Sequence, residues 1–221
     1  DRWSSESEAV LGEIRGAFAA ARVIVRSSAI GEDRWDASGA GAFESVLDVD
    51  PADDASLRGA IERVFASYGA AGARDQVLVQ PMLREVVSSG VLMTRSPGGA
   101  APYYVLNDDS SGRTDTVTGG LGRSRTIWLH RRDAPAVASA ELRPVLEMAR
   151  EVEDLVGHDS LDLEFARTAD GVCHLLQVRP IAATPGGVTD EAVAAALDHM
   201  VEELRGRRAA TPFVLGESVA L

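Results

Sequence analysis

Residues 161–181, LDLEFARTADGVCHLLQVRPI, predict a β-hairpin that carries polar side chains on one face. The turn TADG separates two strands, and because side chains alternate along a strand, Asp162 and Glu164 share a face of the first one. For the same reason, Gln177 and Arg179 share a face of the second strand. If the strand register brings these faces together, one patch holds two carboxylates, an amide oxygen and a guanidinium.

The chemistry of this patch admits two interpretations. Carboxylate and amide oxygens suit Mg²⁺, which proteins hold through one or two carboxylates together with substrate phosphates. Arg179 would then neutralise phosphate beside the metal. The alternative is a cross-strand ion pair on a solvated sheet face, and the hairpin alone leaves both interpretations open.

A second polar segment lies at the end of the β-branched strand expected at residues 22–28. Arg26, Ser27 and Ser28 close this strand, and a loop of small residues follows. Small residues permit close backbone approach, free N–H groups can cradle phosphate oxygens, and arginine binds phosphate bidentately. The segment predicts either a phosphate site or a surface loop beside a salt-bridged arginine.

A third segment is the apolar strand VLVQPML, residues 77–83, which is broken at Pro81. Proline cannot donate to a strand ladder, so backbone groups are expected to be left unpaired there and could contact the edge of an adenine. The sequence SGVLMTRS, residues 89–96, begins the next strand. Taken alone, these residues are better explained by an ordinary edge strand.

The remaining pattern predicts an α+β fold with a largely antiparallel sheet flanked by helices. Apolar residues at helical spacing predict four helices, at residues 4–21, 53–68, 141–156 and 189–207. Alternating or β-branched runs predict eight strands, at residues 22–28, 46–49, 77–83, 88–94, 102–108, 126–130, 161–167 and 172–181.

Composition excludes several function classes. The chain has 221 residues, with 34 acidic side chains against 22 basic ones, all arginine, so its net charge is −12. The lack of lysine excludes a Schiff base or a Walker-type lysine from this chain, and the acidic balance argues against nucleic acid and anionic membranes. One cysteine, Cys173, excludes an internal disulfide framework and favours a cytoplasmic location. The four histidines show no metal-ligand spacing and are expected to be structural or exposed; they are His130, His158, His174 and His199.

Together, the three polar segments resemble the N-terminal ATP-grasp domain of phosphoenolpyruvate synthase, pyruvate phosphate dikinase and rifampicin phosphotransferase. The resemblance follows the order and spacing of that family over about residues 22–182. The stretch APYYVLNDDSSGRTDTVTGG, residues 101–120, is most similar to the branch that includes L-glutamine kinase. The resemblance implies an ATP-grasp domain over residues 1–185, incomplete at its N-terminus, and a linker helix and tail over residues 186–221.

The resemblance also assigns site residues. Arg26 and Arg179 would act on the phosphates as catalytic residues, and the loop from Asp36 to Glu44 would close over them. Gln80, Pro81 and Met82 would form the adenine hinge through backbone groups. The ATP contacts implied are Arg26, Ser27, Ser28, Asp36, Gly39, Gly41, Gln80, Met82, Arg95 and Arg179. The Mg²⁺ ligands implied are Glu164 and Gln177, with Asp162 nearby.

The implied activity is that of an ATP-dependent phosphotransferase. In the family, a phosphohistidine on a separate domain passes the phosphoryl group from ATP to a small acceptor, here an amide such as glutamine among the candidates. The resemblance implies that an N-terminal segment with a phosphate-binding lysine, a histidine domain and an acceptor domain are supplied in cis or in trans. The isolated piece is therefore expected to turn over poorly. Two alternatives are a non-catalytic nucleotide-binding or regulatory module and an unrelated ATP-grasp ligase.

Overall fold

The computed structural model describes residues 2–19, 21–29, 33–34, 37–38, 43–69, 75–98, 100–109, 125–181 and 188–210. All strand pairs in these residues are antiparallel, and helices flank the sheets. The predicted α+β class, with a largely antiparallel sheet flanked by helices, is confirmed, and the arrangement is consistent with an ATP-grasp-like fold.

The described helices are α1 (Arg2–Phe18), α2 (Asp54–Ser67), α3 (Ala134–Val137), α4 (Arg143–Val156) and α5 (Asp190–Ala210). The described strands are β1 (Val23–Ser28), β2 (Asp33–Arg34), β3 (Ala37–Ser38), β4 (Ser45–Val49), β5 (Gln76–Pro81), β6 (Val86–Met93), β7 (Tyr103–Asp109), β8 (Arg125–His130), β9 (Leu161–Thr168) and β10 (Cys173–Pro180). All four predicted helices and all eight predicted strands are present, with shifted ends. Three short elements were not predicted. Helix α3 has only four residues and so shows no helical periodicity. Strands β2 and β3 have two residues each and lie in the segment expected to be a loop.

A small sheet in the order β4-β1-β5 forms one core with α1 and α2. Val23 and Val25 are fully buried in this core. Since side chains alternate, Ile24 and Arg26 point to the other face of β1. The Asp53 carboxylate starts α2 by accepting hydrogen bonds from two backbone N–H groups of its first turn.

A larger sheet in the order β10-β9-β6-β7-β8 forms the second core, with α3 and α4 against one face. On β9, Leu161, Leu163 and Phe165 are buried in this core. The intervening residues, Asp162 and Glu164 among them, therefore lie on the face opposite α4. Among the described helices, none is long and apolar enough to cross a membrane.

Candidate functional site

The register of the β9–β10 hairpin brings the four predicted polar residues together. Glu164 lies opposite Gln177, and Asp162 lies opposite Arg179. Directly opposed residues in an antiparallel pair project to the same face, so the register brings the polar faces of the two strands together as the predicted patch requires. One patch on the face opposite α4 thus carries two carboxylates, an amide and a guanidinium.

A β-bulge in β10 connects this patch to the small sheet. The register shifts between Leu175 and Gln177, which leaves Leu176 as an extra residue without a partner on β9. Arg26 of β1 donates one hydrogen bond to the Leu176 carbonyl, at 3.3 Å, and another to Gln177 Oε1, at 3.1 Å. Arg26, the candidate phosphate ligand on the small sheet, therefore contacts Gln177, a candidate metal ligand on the large sheet.

A cavity of about 290 Å³ lies where the two sheets meet. Ile24 and Arg26 form its wall on β1, and the bulged strand β10 forms the wall opposite. The residues that line it are Ile24, Arg26, Gln80, Pro81, Met82, Leu83, His174, Leu175 and Leu176. Apolar walls with a few polar groups are typical of a small-molecule site.

The backbone groups at residues 80–82, at the end of β5, were expected to be unpaired, but some of them pair with the neighbouring strand β1 or the residue before it. The Met82 N–H donates to the Arg22 carbonyl at 2.8 Å, so it is already used within the small sheet. Because hydrogen bonding alternates along an antiparallel edge strand, the backbone groups of Gln80 also point toward β1. The outward-facing groups are then the Pro81 carbonyl and the Leu83 N–H.

Burial shapes the electrostatics of Asp162. One carboxylate oxygen, Oδ1, is buried and has no hydrogen-bond partner among the described residues. Burial raises the pKa of Asp162, and the positive charge of Arg179 opposes this rise. Arg179 itself is only 8% exposed. A buried carboxylate oxygen without a donor is one that a cation could satisfy.

These donors fit a hard cation. The patch offers oxygen ligands from Asp162, Glu164 and Gln177, which is the donor type that Mg²⁺ takes. The described part of the chain holds no group of three or more acidic, histidine or cysteine side chains that could bind a metal ion by themselves. A cation held here would therefore depend on substrate phosphates for its remaining ligands.

Arg95 lies in a different environment from the one expected. Its guanidinium contacts Asp159 at 2.6 Å and Asp190, in the first turn of α5, at 2.5 Å. Hydrogen bonds from Arg95 hold the pKa of both carboxyls below the ordinary value. Two carboxylates thus engage the arginine that was expected near the phosphates, and the contact of Arg95 with ATP stays a prediction.

The other residues predicted to contact phosphate lie in different environments. Ser27 is buried on the helix-covered side of β1, away from the side chain of Arg26, because neighbouring residues alternate. Ser28 shares the face of Arg26, and its N–H donates to the Tyr68 hydroxyl at 3.0 Å. Asp36, Gly39 and Gly41 lie outside the described residues.

His174 lines the cavity, although the sequence pattern predicted a structural or exposed position for it. By simple alternation, His174 and Gln177 would point to opposite faces of β10. The bulge at Leu176 adds one residue between them, so His174 lies opposite Ala166 and on the same face as Glu164. A bulge of this kind leaves no signal in the hydrophobic pattern.

Comparison with known protein families gives a match over the N-terminal part of the chain. The family described as pyruvate phosphate dikinase, AMP/ATP-binding domain, matches residues 5–124, which is more than half of the chain. The chain belongs to this family. Comparison with curated proteins found no match.

Family membership supports a nucleotide-binding module from a family of phosphotransferases. The matched residues include Arg26 and the β5 segment from Gln80 to Met82. The β9–β10 hairpin lies outside the matched residues, so its role rests on its own geometry. The L-glutamine kinase-like branch is not distinguished by the match.

Proposed function

We propose that the chain is the Mg·ATP-binding domain of a kinase of the phosphoenolpyruvate synthase type. The observation that carries this proposal is the contact of Arg26 with Leu176 and Gln177. This contact links the family-matched half of the chain to the oxygen-rich hairpin, beside a cavity of about 290 Å³. A nucleotide in that cavity would reach both sheets.

The two arginines serve the phosphates in this proposal. Arg26 comes from β1 and contacts Gln177, and Arg179 comes from β10, two residues after Gln177. Guanidinium groups stabilise phosphate charge by bidentate hydrogen bonds, which offsets the repulsion from a chain of net charge −12. Both side chains are at least partly buried, which strengthens the attraction.

The metal is proposed to be held by Glu164 and Gln177, with Asp162 beside them. When bound, Mg²⁺ supplies positive charge that neutralises the phosphates during phosphoryl transfer. Asp162 also lies opposite Arg179, so one carboxylate would orient the guanidinium while facing the cation site. The base would lie along β5, against the outward-facing Pro81 carbonyl and Leu83 N–H.

The reaction beyond nucleotide binding is also proposed. A histidine on another domain would receive the phosphoryl group and deliver it to a small acceptor. Likeness to the L-glutamine kinase branch makes an amide the first acceptor to test. In this proposal, residues 1–221 by themselves would bind Mg·ATP with little turnover, because a histidine domain and an acceptor domain would act with them in cis or in trans.

Titration calorimetry with Mg·ATP tests the site. Arg179→Ala and Glu164→Ala should each weaken binding about tenfold or more, since each removes a charge that faces phosphate or metal. The matched control is Arg205→Ala, because Arg205 on α5 is 72% exposed and pairs only with Glu202 among the described residues. Equal affinity in all four proteins would reject the site assignment.

A further inference from the structure

We infer that His174 is a positioning residue for the nucleoside, accepting a hydrogen bond at its Nδ1 atom from an N–H or O–H group of the ligand. The inference rests on the proposed function and deepens it, because it names a contact to the nucleoside rather than to the phosphates. It is carried by the position of His174 in the cavity wall and by the hydrogen bonds that fix the tautomer of its ring.

His174 lies on β10 of the hairpin, on the cavity wall shared with the end of β5. It lines the cavity together with the β5 residues from Gln80 to Leu83. Its backbone lies opposite Ala166 on β9, which directs the side chain to the face that carries Glu164. The ring is half-buried, so a ligand in the cavity can reach it.

The hydrogen bonds of Thr168 determine which ring nitrogen carries the proton. Thr168 Oγ1 lies 2.6 Å from Asp170 Oδ1, 3.3 Å from the Val172 carbonyl and 3.2 Å from His174 Nε2. The carboxylate and the carbonyl can only accept, so the single hydroxyl proton of Thr168 points toward them. Thr168 Oγ1 must then accept from His174, which makes Nε2–H the donor.

A neutral histidine with its proton on Nε2 has a lone pair on Nδ1. Nδ1 has no hydrogen-bond partner among the described residues. The chain from His174 through Thr168 to Asp170 also fixes the ring orientation, because the turn that holds Asp170 closes the same hairpin. His174, which lines the cavity, therefore carries a preorganised acceptor, and the inference is that this acceptor favours ligands with a donor at that point.

Two donor groups of ATP could fill this position. They are the exocyclic amine of adenine and a hydroxyl of the ribose. A carbonyl in place of the amine, or a hydrogen in place of the hydroxyl, leaves the Nδ1 lone pair without a partner and costs affinity. Nucleotide analogues that change one group at a time distinguish the two sources.

Two variants separate ligand binding from a purely structural role in the hairpin. The amide of His174→Asn can place an acceptor near the position of Nδ1, but it is too short to replace Nε2. The longer amide of His174→Gln can still donate to Thr168, but it leaves the Nδ1 position empty. A structural role would favour the glutamine variant, whereas a ligand contact would favour the asparagine variant.

The experiment is calorimetry of the wild type and both variants with the Mg²⁺ complexes of ATP, ITP, 2′-deoxyATP and 3′-deoxyATP. The wild type should bind ATP about tenfold more tightly than the one analogue that lacks the donor facing Nδ1. His174→Gln should weaken ATP binding by a similar factor and erase that preference, while its melting temperature stays near that of the wild type. His174→Asn should keep part of the preference.

Three results would overturn the inference. One is equal wild-type affinity for ATP and all three analogues. Another is a His174→Gln protein that binds and discriminates as the wild type does. If the wild type binds ATP and responds to Arg179→Ala, either result rejects the His174 contact and leaves the proposed function standing. The third is a wild type that binds no Mg·ATP, which rejects both.

Discussion

Arg26 shows how one side chain can define the site. It lies on a strand whose alternate residues, Val23 and Val25, are buried in the small core, so its direction is set by packing. Its guanidinium donates hydrogen bonds to Leu176 and Gln177 on the other sheet. The alternation could be predicted from the sequence. The partner could not, because it lies 151 residues away along the chain.

The link between Arg26 and Gln177 predicts non-additive effects on nucleotide affinity. Arg26→Ala and Gln177→Ala should each weaken Mg·ATP binding, and the double variant should lose less than the sum, because each change disturbs the same contact. Calorimetry on the four proteins of the cycle measures this coupling. Strict additivity would show that the two residues act on the nucleotide independently.

The ion pair between Arg131 and Glu153 should stabilise the fold rather than the site. Arg131 lies 2.6 Å from Glu153 and stacks over Tyr104, with 4.7 Å from its guanidinium carbon to the ring centroid. Glu153→Ala leaves this arginine without its carboxylate in a mostly buried position, so unfolding free energy should fall by about 2–4 kcal/mol. Urea denaturation measures the change. Glu151→Ala, on the exposed side of the same helix, is the control and should change stability by less than about 0.5 kcal/mol.

At the scale of elements, β6 is the central strand of the large sheet and lies between β9 and β7. Gly90 at its centre lets the strands approach closely. A Cβ added there would lie 2.2 Å from the Asn107 carbonyl oxygen and 3.0 Å from the Phe165 ring. Neither backbone nor buried ring can move away without disturbing the sheet.

Gly90→Ala should therefore destabilise the protein by about 1–3 kcal/mol or more, by overpacking. Gly59→Ala is the matched control, since Gly59 lies within α2 and a Cβ there meets nothing within 4 Å. That change should be neutral or stabilise by up to about 1 kcal/mol, because alanine favours helix. Thermal unfolding of both variants gives the comparison. Similar losses in both would contradict the packing assigned to Gly90.

The hairpin illustrates what local sequence can and cannot predict. Its two strands, its turn and the shared face of Asp162 and Glu164 follow from alternation and turn residues. The bulge at Leu176 does not, because one extra residue in a strand has no compositional mark. This bulge places His174 on the face of Glu164 and in the cavity wall, whereas the lack of metal-ligand spacing predicted a structural or exposed histidine.

At the scale of the whole molecule, α5 is tied to the larger sheet by ion pairs rather than by a buried face. Arg95 contacts Asp190, and Arg132 contacts Asp198 at 3.0 Å. Asp190 lies 95 residues from Arg95 in the chain, so no local pattern could reveal this pair. The domain boundary at residue 185 stays a prediction.

The attachment of α5 should depend on pH. Pairing with Arg95 lowers the pKa of Asp159 and Asp190 in the folded state. Their contribution to stability is therefore complete well above the ordinary carboxyl pKa of about 3.9 and is lost as pH falls through and below it. Thermal unfolding should show a gap between the wild type and Asp190→Asn near pH 7 that narrows toward about pH 3.

The control for this prediction is Glu202→Gln, since Glu202 is 73% exposed and pairs with exposed Arg205. It should differ little from the wild type at any pH. A gap between the wild type and Asp190→Asn that stays constant with pH would contradict the role assigned to the ion pair.

The central claim is that both sheets contribute to one nucleotide site. A crystal structure with Mg²⁺ and a non-hydrolysable ATP analogue tests it most directly. We expect the base along β5 between Gln80 and Leu83, with the phosphates between Arg26 and Arg179. We also expect the metal on the oxygens of Glu164 and Gln177. A nucleotide bound away from this cavity, or held by the small sheet alone, would contradict the account.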